Sequence, residues 1–469
     1  MSEPADSGLG TPMDAALPYS GPSVAGTVAV DRSSAQGQLV AGFAGFSFEK
    51  THMTDGFFTA MNQPLIALFK LLGPGIVRIG ANDVDNSTWV PTAPPVTGGN
   101  TSTNVGTADV DALAAFLTAT GWRVIYGVSM KTATAPSVAE SVYAAGKLGA
   151  SLHSIEIGNE INFFTGLPPT TWESFETAIR AAVPGVPLAG PASGGGSETS
   201  YTIPFVNDEK SNLVLVTDHY YKGASASNPT IASMLTLDPN VVTYSKELAA
   251  AAQTDNIADG FRWGEMNSYS GHGAAGVSDV FASALWAVDF MLTAAEYGAM
   301  GVNFHGGGQN MDGNSCPNGV SSCIKPFRYS PIDEVDAQVT AAAPLYYGML
   351  LVAHCGTGTM FATTAKAGNL NFTAYAIGQS DGSTNVVLVN KDATNGIDAQ
   401  VTLGGPVASG SALYLLAPSL TSTSGVTFAD DGVTPTGLWT PKAPYALTTT
   451  ADGVIVTVPP ASAALVHVQ

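Results

Sequence analysis

Between residue 41 and about residue 355, short apolar runs alternate with longer segments whose apolar residues recur every three or four positions. No other feature constrains the fold as strongly, because strands that alternate with helices are joined in parallel by crossovers. The strand runs are GFAGFSFE ending at Glu49, GIVRIG at Gly80, RVIYGVS at Ser129, SIEIGNE at Glu160, VPLAGP at Pro191, LVLVTDHYY at Tyr221, FRWGE at Glu265 and GVNFH at His305. Helical segments among them include FFTAMNQPLIALFKLL, VDALAAFLTATG, TWESFETAIRAAV, VVTYSKELAAAAQT and VSDVFASALWAVDFMLTAAEYG. Eight strands close a (β/α)8 barrel, a fold of about 250 residues before insertions, and the spacing predicts one over residues 41–356. Two long loops, NDVDNSTWVPTAPPVTGGNTSTNVG after the second strand and the stretch from Gly306 to about Thr340 after the eighth, would rise from the carboxyl face and shape a cleft.

After Gly356 the text changes to Thr/Val alternation with Gly and Asn turns, as in LNFTAYAIG, TNVVLVNKD, AQVTLGG, SALYLLAP and GVIVTVPPASAALVHVQ. That pattern predicts a C-terminal antiparallel β-sandwich over 357–469. GTVAVD, within 26–40, would add a strand to it and tie the chain's ends together. Residues 1–25, with Pro, Gly and Ser but no basic start or apolar signal core, are expected to be a disordered end.

A net charge of −20, with 17 Lys and Arg in all, argues against nucleic acid as partner. No run of about 20 apolar residues exists to span a membrane. Cys316 and Cys323, in NSCPNGVSSC, have a spacing that would close a small disulfide in an oxidising compartment, and Cys355 follows an apolar run that would bury it. The GGG at 306–308 lacks the Lys and Ser/Thr of a phosphate loop, and the seven His show no paired metal spacing, so no cofactor is expected.

Two glutamates then stand out. Glu160 in GNE and Glu265 in WGE end the fourth and seventh strand runs, 105 positions apart. Groups at the carboxyl ends of barrel strands meet over one face, and two carboxylates there suit glycosidic bond cleavage. Asn159 would hydrogen-bond a sugar hydroxyl beside Glu160. Tyr221, at the end of the sixth strand, would donate to Glu265 and keep it ionised, whereas Glu160 should be neutral at rest. Glu156 shares the face of Glu160 and reads as a buried structural carboxylate.

GNE, HYY and GE on strands four, six and seven resemble the clan of retaining glycosidases with acid/base and nucleophile on strands four and seven. GEMNSYSGHGAAGVSDVFASALWAVD, with FSFEK, VRIG and PLYYGMLL, further resembles the heparanase and β-glucuronidase family, glycoside hydrolase family 79. The resemblance implies Glu160 as general acid/base and Glu265 as nucleophile, Glu49 and Asn82 at sugar hydroxyls, and a uronic carboxylate held by Tyr346, Gly271 and the amide of His272. One departure matters: the tyrosine expected five residues after the nucleophile is Ser270 here, so either Tyr269 takes its role through a local shift or His272 supplies the donor. His305 either lines the pocket or is a structural histidine.

The expected protein is therefore a monomeric, secreted or periplasmic retaining β-glucuronidase acting on a glucuronide or a glucuronic-acid-containing glycan, inside a polymer or at its end. Its rivals are a retaining β-glucosidase, β-xylosidase or β-glucanase, and a carbohydrate-binding protein of the same fold without turnover.

Overall fold

A computed structural model describes residues 17, 19–96, 99, 101–165, 170–307 and 327–469. Eight parallel strands close into a barrel: Ala44–Glu49, Ile76–Gly80, Arg123–Val128, Leu152–Ile157, Leu188–Ser193, Leu215–Ala224, Phe261–Ser270 and Val302–Gly306. They follow the order of the sequence, and the last pairs with the first from Val302↔Ala44 to Gly306↔Phe48. Each is buried over most of its length, as barrel strands packed between lumen and helices must be, and the sixth emerges from the core after Tyr220. The seventh strand extends five residues past Glu265, pairing with the sixth as far as Ser270↔Ala224. Cys316 and Cys323 lie outside the described residues.

Two helices carry apolar residues on every side and are correspondingly buried all round. Ala282–Glu296 lies between the barrel and a large sheet, with every residue from Ala282 to Ala295 buried. Pro344–Ala353 crosses it so closely that a Cβ on Gly348 would stand 2.4 Å from the Ala284 carbonyl oxygen. Cys355 follows this second helix and is fully buried.

The sheet has eleven strands. Ser23–Leu39, which begins before residue 26, pairs antiparallel with Gly358–Lys366 and parallel with Gly396–Thr402. In Thr384–Asn390, Val387 and Val389 join the core shared with the two buried helices, while Val386 and Leu388 face a second core with Ile397, Val401 and Val456. A strand buried on both faces reads as a continuous apolar run, which is what TNVVLVN shows.

A buried charge interrupts the helix Ala282–Glu296. Asp289 accepts from Lys391 Nζ at 2.8 Å, Thr373 Oγ1 at 2.5 Å and Tyr375 OH at 2.7 Å, locking the barrel's helix to the sheet. Removing one partner strands the other charge in the core, which costs about 3–5 kcal/mol. Lys391→Met should lower the urea midpoint at unchanged slope, and adding Asp289→Leu should restore much of the loss.

The two cleft loops carry short structure of their own. After the second strand come the turn Asn82–Asn86 and the paired Thr88–Trp89 and Asn104–Val105; Ile332–Val335 and Gln338–Ala342 form a hairpin after the eighth. No helix among the described residues is long and apolar enough to cross a membrane.

Candidate active site

A cleft of about 610 Å³ opens at the carboxyl ends of the barrel strands, lined by Glu49, Asn82, Glu160, Tyr221, Glu265, Gly271, His272 and His305, among others. Its centre is built from Arg78 of the second strand, fully buried in the lumen. Arg78 Nε meets Glu156 Oε2 at 2.6 Å, Nη1 meets Glu265 Oε2 at 2.9 Å, and Nη2 donates to Asn159 Oδ1 at 2.7 Å. One planar fork thus fixes residues of the fourth and seventh strands together, a task for which a point-charge ammonium is unsuited. Glu156 is fully buried and also accepts from Thr217 Oγ1 at 2.7 Å, which makes it the structural partner of Arg78.

Glu265 is aimed by a β-bulge. The pairing with the sixth strand slips between Trp263↔Asp218 and Glu265↔His219, so Gly264 is the extra residue. Such a bulge re-aims the next side chain. Tyr221 OH donates to Glu265 Oε1 at 2.9 Å, as the sequence predicts. Burial alone would push the Glu265 carboxyl up, but the charges of His305, His219 and Arg78 and the Tyr221 hydrogen bond outweigh it and hold the group at about 2. Arg78 is the permanent charge among these.

Glu160 is held differently. It lies beyond the end of its strand with φ 49°, a left-handed conformation unusual for a residue with a Cβ. Its N–H donates to the Ala192 carbonyl at 2.7 Å, and its own carbonyl accepts from Phe163 N at 2.9 Å. Strain of about 1–3 kcal/mol persists only where the surroundings enforce it, and such positions cluster at functional sites. The side chain is 29% exposed, with Oε1 3.3 Å from His219 Nδ1. A Cβ on Gly194 would stand 2.3 Å from the same oxygen, so a side chain there would push the carboxyl out of its present position.

Asp85, on the loop after the second strand, positions the neighbouring chain: Oδ2 accepts from Asn159 N at 2.9 Å and Oδ1 from Met130 N at 2.7 Å. Asn159 Nδ2 reaches Asn82 Oδ1 at 3.4 Å. Glu49 accepts from Asp83 N at 2.7 Å and is pushed up to about 8 by burial and by the charges of Asp83 and Glu265. His305 is pushed down by burial, with Nε2 3.8 Å from Glu49 Oε1.

Two expectations are corrected. Tyr346 does not reach the cleft: it is fully buried in the helix Pro344–Ala353, and its hydroxyl donates to the Leu68 carbonyl at 2.7 Å. Tyr269 is excluded as well, because the strand runs without a shift to Ser270 and its buried side chain turns to Ser233 Oγ at 3.1 Å. Of the two alternatives for the missing tyrosine, His272 alone lines the cleft, its ring 4.4 Å from that of Phe327.

Sequence reasoning missed Arg78, His219, Tyr329, Lys222 and Glu198. Tyr329, from the loop after the eighth strand, lines the cleft beside Tyr221, their ring centroids 6.1 Å apart. Glu198 is buried, and that burial pushes it up to about 7. Only Arg78 had a visible signal, a lone cation in an apolar strand, since such a charge needs a buried partner. Among the described residues no group of three or more His, Cys, Asp or Glu is arranged to hold a metal ion.

No protein-family model matches the chain. It is 28% identical over 245 residues to a β-glucuronidase of Neurospora crassa, a match covering 48% of this chain and 39% of that protein. It is 28% identical over 157 residues to a β-glucuronidase of Aspergillus niger, covering 31% and 25%. The matched part thus spans two fifths or less of the length of these curated relatives. A solved 4-O-α-L-rhamnosyl-β-D-glucuronidase of Fusarium oxysporum superposes with a TM-score of 0.73 at 20% identity, covering 95% of this chain and 99% of that one. The chain is glycoside hydrolase-like, a barrel with a β-sandwich of the kind found in that enzyme.

Proposed function

We propose that this protein is a retaining β-glucuronidase of the heparanase and β-glucuronidase type, with Glu265 as nucleophile and Glu160 as acid/base. The observation that carries the reading is the contrast between the two carboxylates. Glu265 is buried, ion-paired and hydrogen-bonded, whereas Glu160 faces the same cleft with its oxygens partly open. Environments that differ in this way separate a group that must stay charged from one that must carry a proton.

Glu265 attacks the anomeric carbon as the bond to the leaving oxygen breaks, and Glu160 gives that oxygen its proton. A water then attacks the same carbon, its proton passes to Glu160, and the Glu265 carboxylate is released. Arg78 and Tyr221 keep Glu265 charged between turnovers. Tyr221→Phe should lower kcat/KM by about tenfold to a hundredfold, the worth of one hydrogen bond to a charged group. Because that bond holds the Glu265 carboxyl down, its loss should move the acid limb of the kcat/KM profile to higher pH.

The β-glucuronidase relatives support the uronide, and His272, Lys222 and Tyr329 in the cleft offer it a charged or polar partner. The test compares aryl β-glucuronide with the matching β-glucoside and β-xyloside, following the first-formed anomer by NMR. Preference for the glucuronide with retained configuration is expected. Preference for a neutral sugar would refute the substrate, and inversion would refute the mechanism.

A further inference from the structure

A second cavity, of about 370 Å³, adjoins the cleft on the far side of Glu160. Asn82, Glu160 and Phe163 line both, so Glu160 stands on the ridge between them. Glu265 lines only the larger. We infer that the smaller cavity, with Phe163 as its platform and Lys131 at its mouth, receives the leaving group of the substrate and favours a ring that carries an anionic substituent. This rests on the roles proposed for Glu160 and Glu265, because an acid that protonates the departing oxygen must have the sugar on one side and the leaving group on the other.

Phe163 is 57% exposed, a large apolar face in a polar site. It is not loose. Its N–H donates to the Glu160 carbonyl at 2.9 Å, and its ring lies so close to Gly195 that a Cβ there would stand 2.6 Å from its Cζ. A ring fixed by the backbone of the acid itself and left open to solvent is suited to stack on a sugar or aryl ring. Lys131 adds charge. Its N–H helps bind Asp85 at 3.3 Å, while its exposed ammonium lies 4.4 Å from the centroid of the Phe164 ring. Among the described residues it makes no ion pair, in a chain whose net charge is −20. Among the described residues Lys131 is the one cation lining the smaller cavity, so its ammonium, held over one aromatic face, is the group there that an incoming anion would meet favourably.

The experiment measures kcat/KM of the wild-type protein, Phe163→Ala and Lys131→Gln on β-glucuronyl fluoride, phenyl β-glucuronide and 4-carboxyphenyl β-glucuronide. Taking each variant relative to wild type cancels the intrinsic reactivity of the leaving group. Phe163→Ala should lower the phenyl-to-fluoride ratio about fivefold to tenfold, mainly through KM. Lys131→Gln should lower the carboxyphenyl-to-phenyl ratio about threefold at low salt, with the difference fading in high salt. Ratios unchanged within twofold would overturn the subsite, or its charge preference in the second case. If the wild type cleaves only the corresponding glucosides, the substrate reading fails and the same ratios on the glucoside series decide the subsite. If it cleaves neither series, both readings fall.

Discussion

Glu265→Gln should reduce kcat by at least about 10⁴-fold, because an amide keeps the shape of the carboxylate but is no nucleophile. The protein should still fold, since Arg78 retains Glu156 at 2.6 Å and an amide oxygen can accept from Tyr221. Covalent labelling by a mechanism-based glucuronide should disappear with the carboxylate, and a label on any other residue would sink the assignment. Acid stability gives a second readout. A carboxyl held at about 2 against an ordinary value near 4.5 contributes stability that is complete above about pH 4.5 and is lost as pH falls toward 2. Glu265→Gln should therefore flatten the acid limb of the stability profile, and an unchanged limb would mean that the buried pair is not formed.

Arg78→Met should be the change in the site most damaging to stability. It leaves two buried carboxylates, Glu156 and Glu265, without their cation, and breaking a buried pair by removing one partner costs about 3–5 kcal/mol. In the protein that still folds, kcat/KM should fall by a hundredfold or about that, with its acid limb moved upward as Glu265 loses the charge that holds it down. Arg78→Lys should recover stability more than activity, because an ammonium can pair with one carboxylate but cannot span Glu156, Glu265 and Asn159 together. Urea unfolding read beside the pH profile separates the two losses. A variant that keeps full activity would remove Arg78 from the centre of the site.

The barrel was legible because its strands are short apolar runs and its loops break them with glycine and polar residues. Where polar residues continue a strand, the reading stopped early, as in MNSYS after Glu265, which pairs with the sixth strand through Ser270. The helix Thr134–Leu148 escaped notice for a related reason: its buried face is Ser137, Glu140, Ser141, Ala144 and Leu148, small and polar residues that give no apolar period. Glu140 is acceptable there because Lys50, a partner 90 positions away, meets it at 2.7 Å and Tyr126 OH donates to it at 2.8 Å.

Glu160, Glu265, Asn159 and Tyr221 were legible because each ends, or nearly ends, a strand run on the same barrel face. Tyr346 was misjudged because a motif was followed where the apolar text around it, PLYYGMLL, already described a helix with no exposed side. The hub of the site was hidden for the opposite reason. VRIG shows Arg78 only as a lone cation in an apolar strand, which calls for a buried partner without naming one, since its three partners are distant in sequence and come together only when the barrel closes.

The helix Ala282–Glu296 has consequences for heredity as well as for packing. One of its sides completes the barrel and the other is the floor of the sheet, while the first strand among the described residues, Ser23–Leu39, is a middle member of that sheet. Neither part can be lifted out with a clean surface. A gene fragment ending near Gly356 would encode a barrel with a bare apolar flank, Asp289 facing water and Ser23–Leu39 without its partners, prone to aggregate before it could be selected for anything. Exon shuffling or engineering that treats the sheet as a detachable appendage should therefore fail.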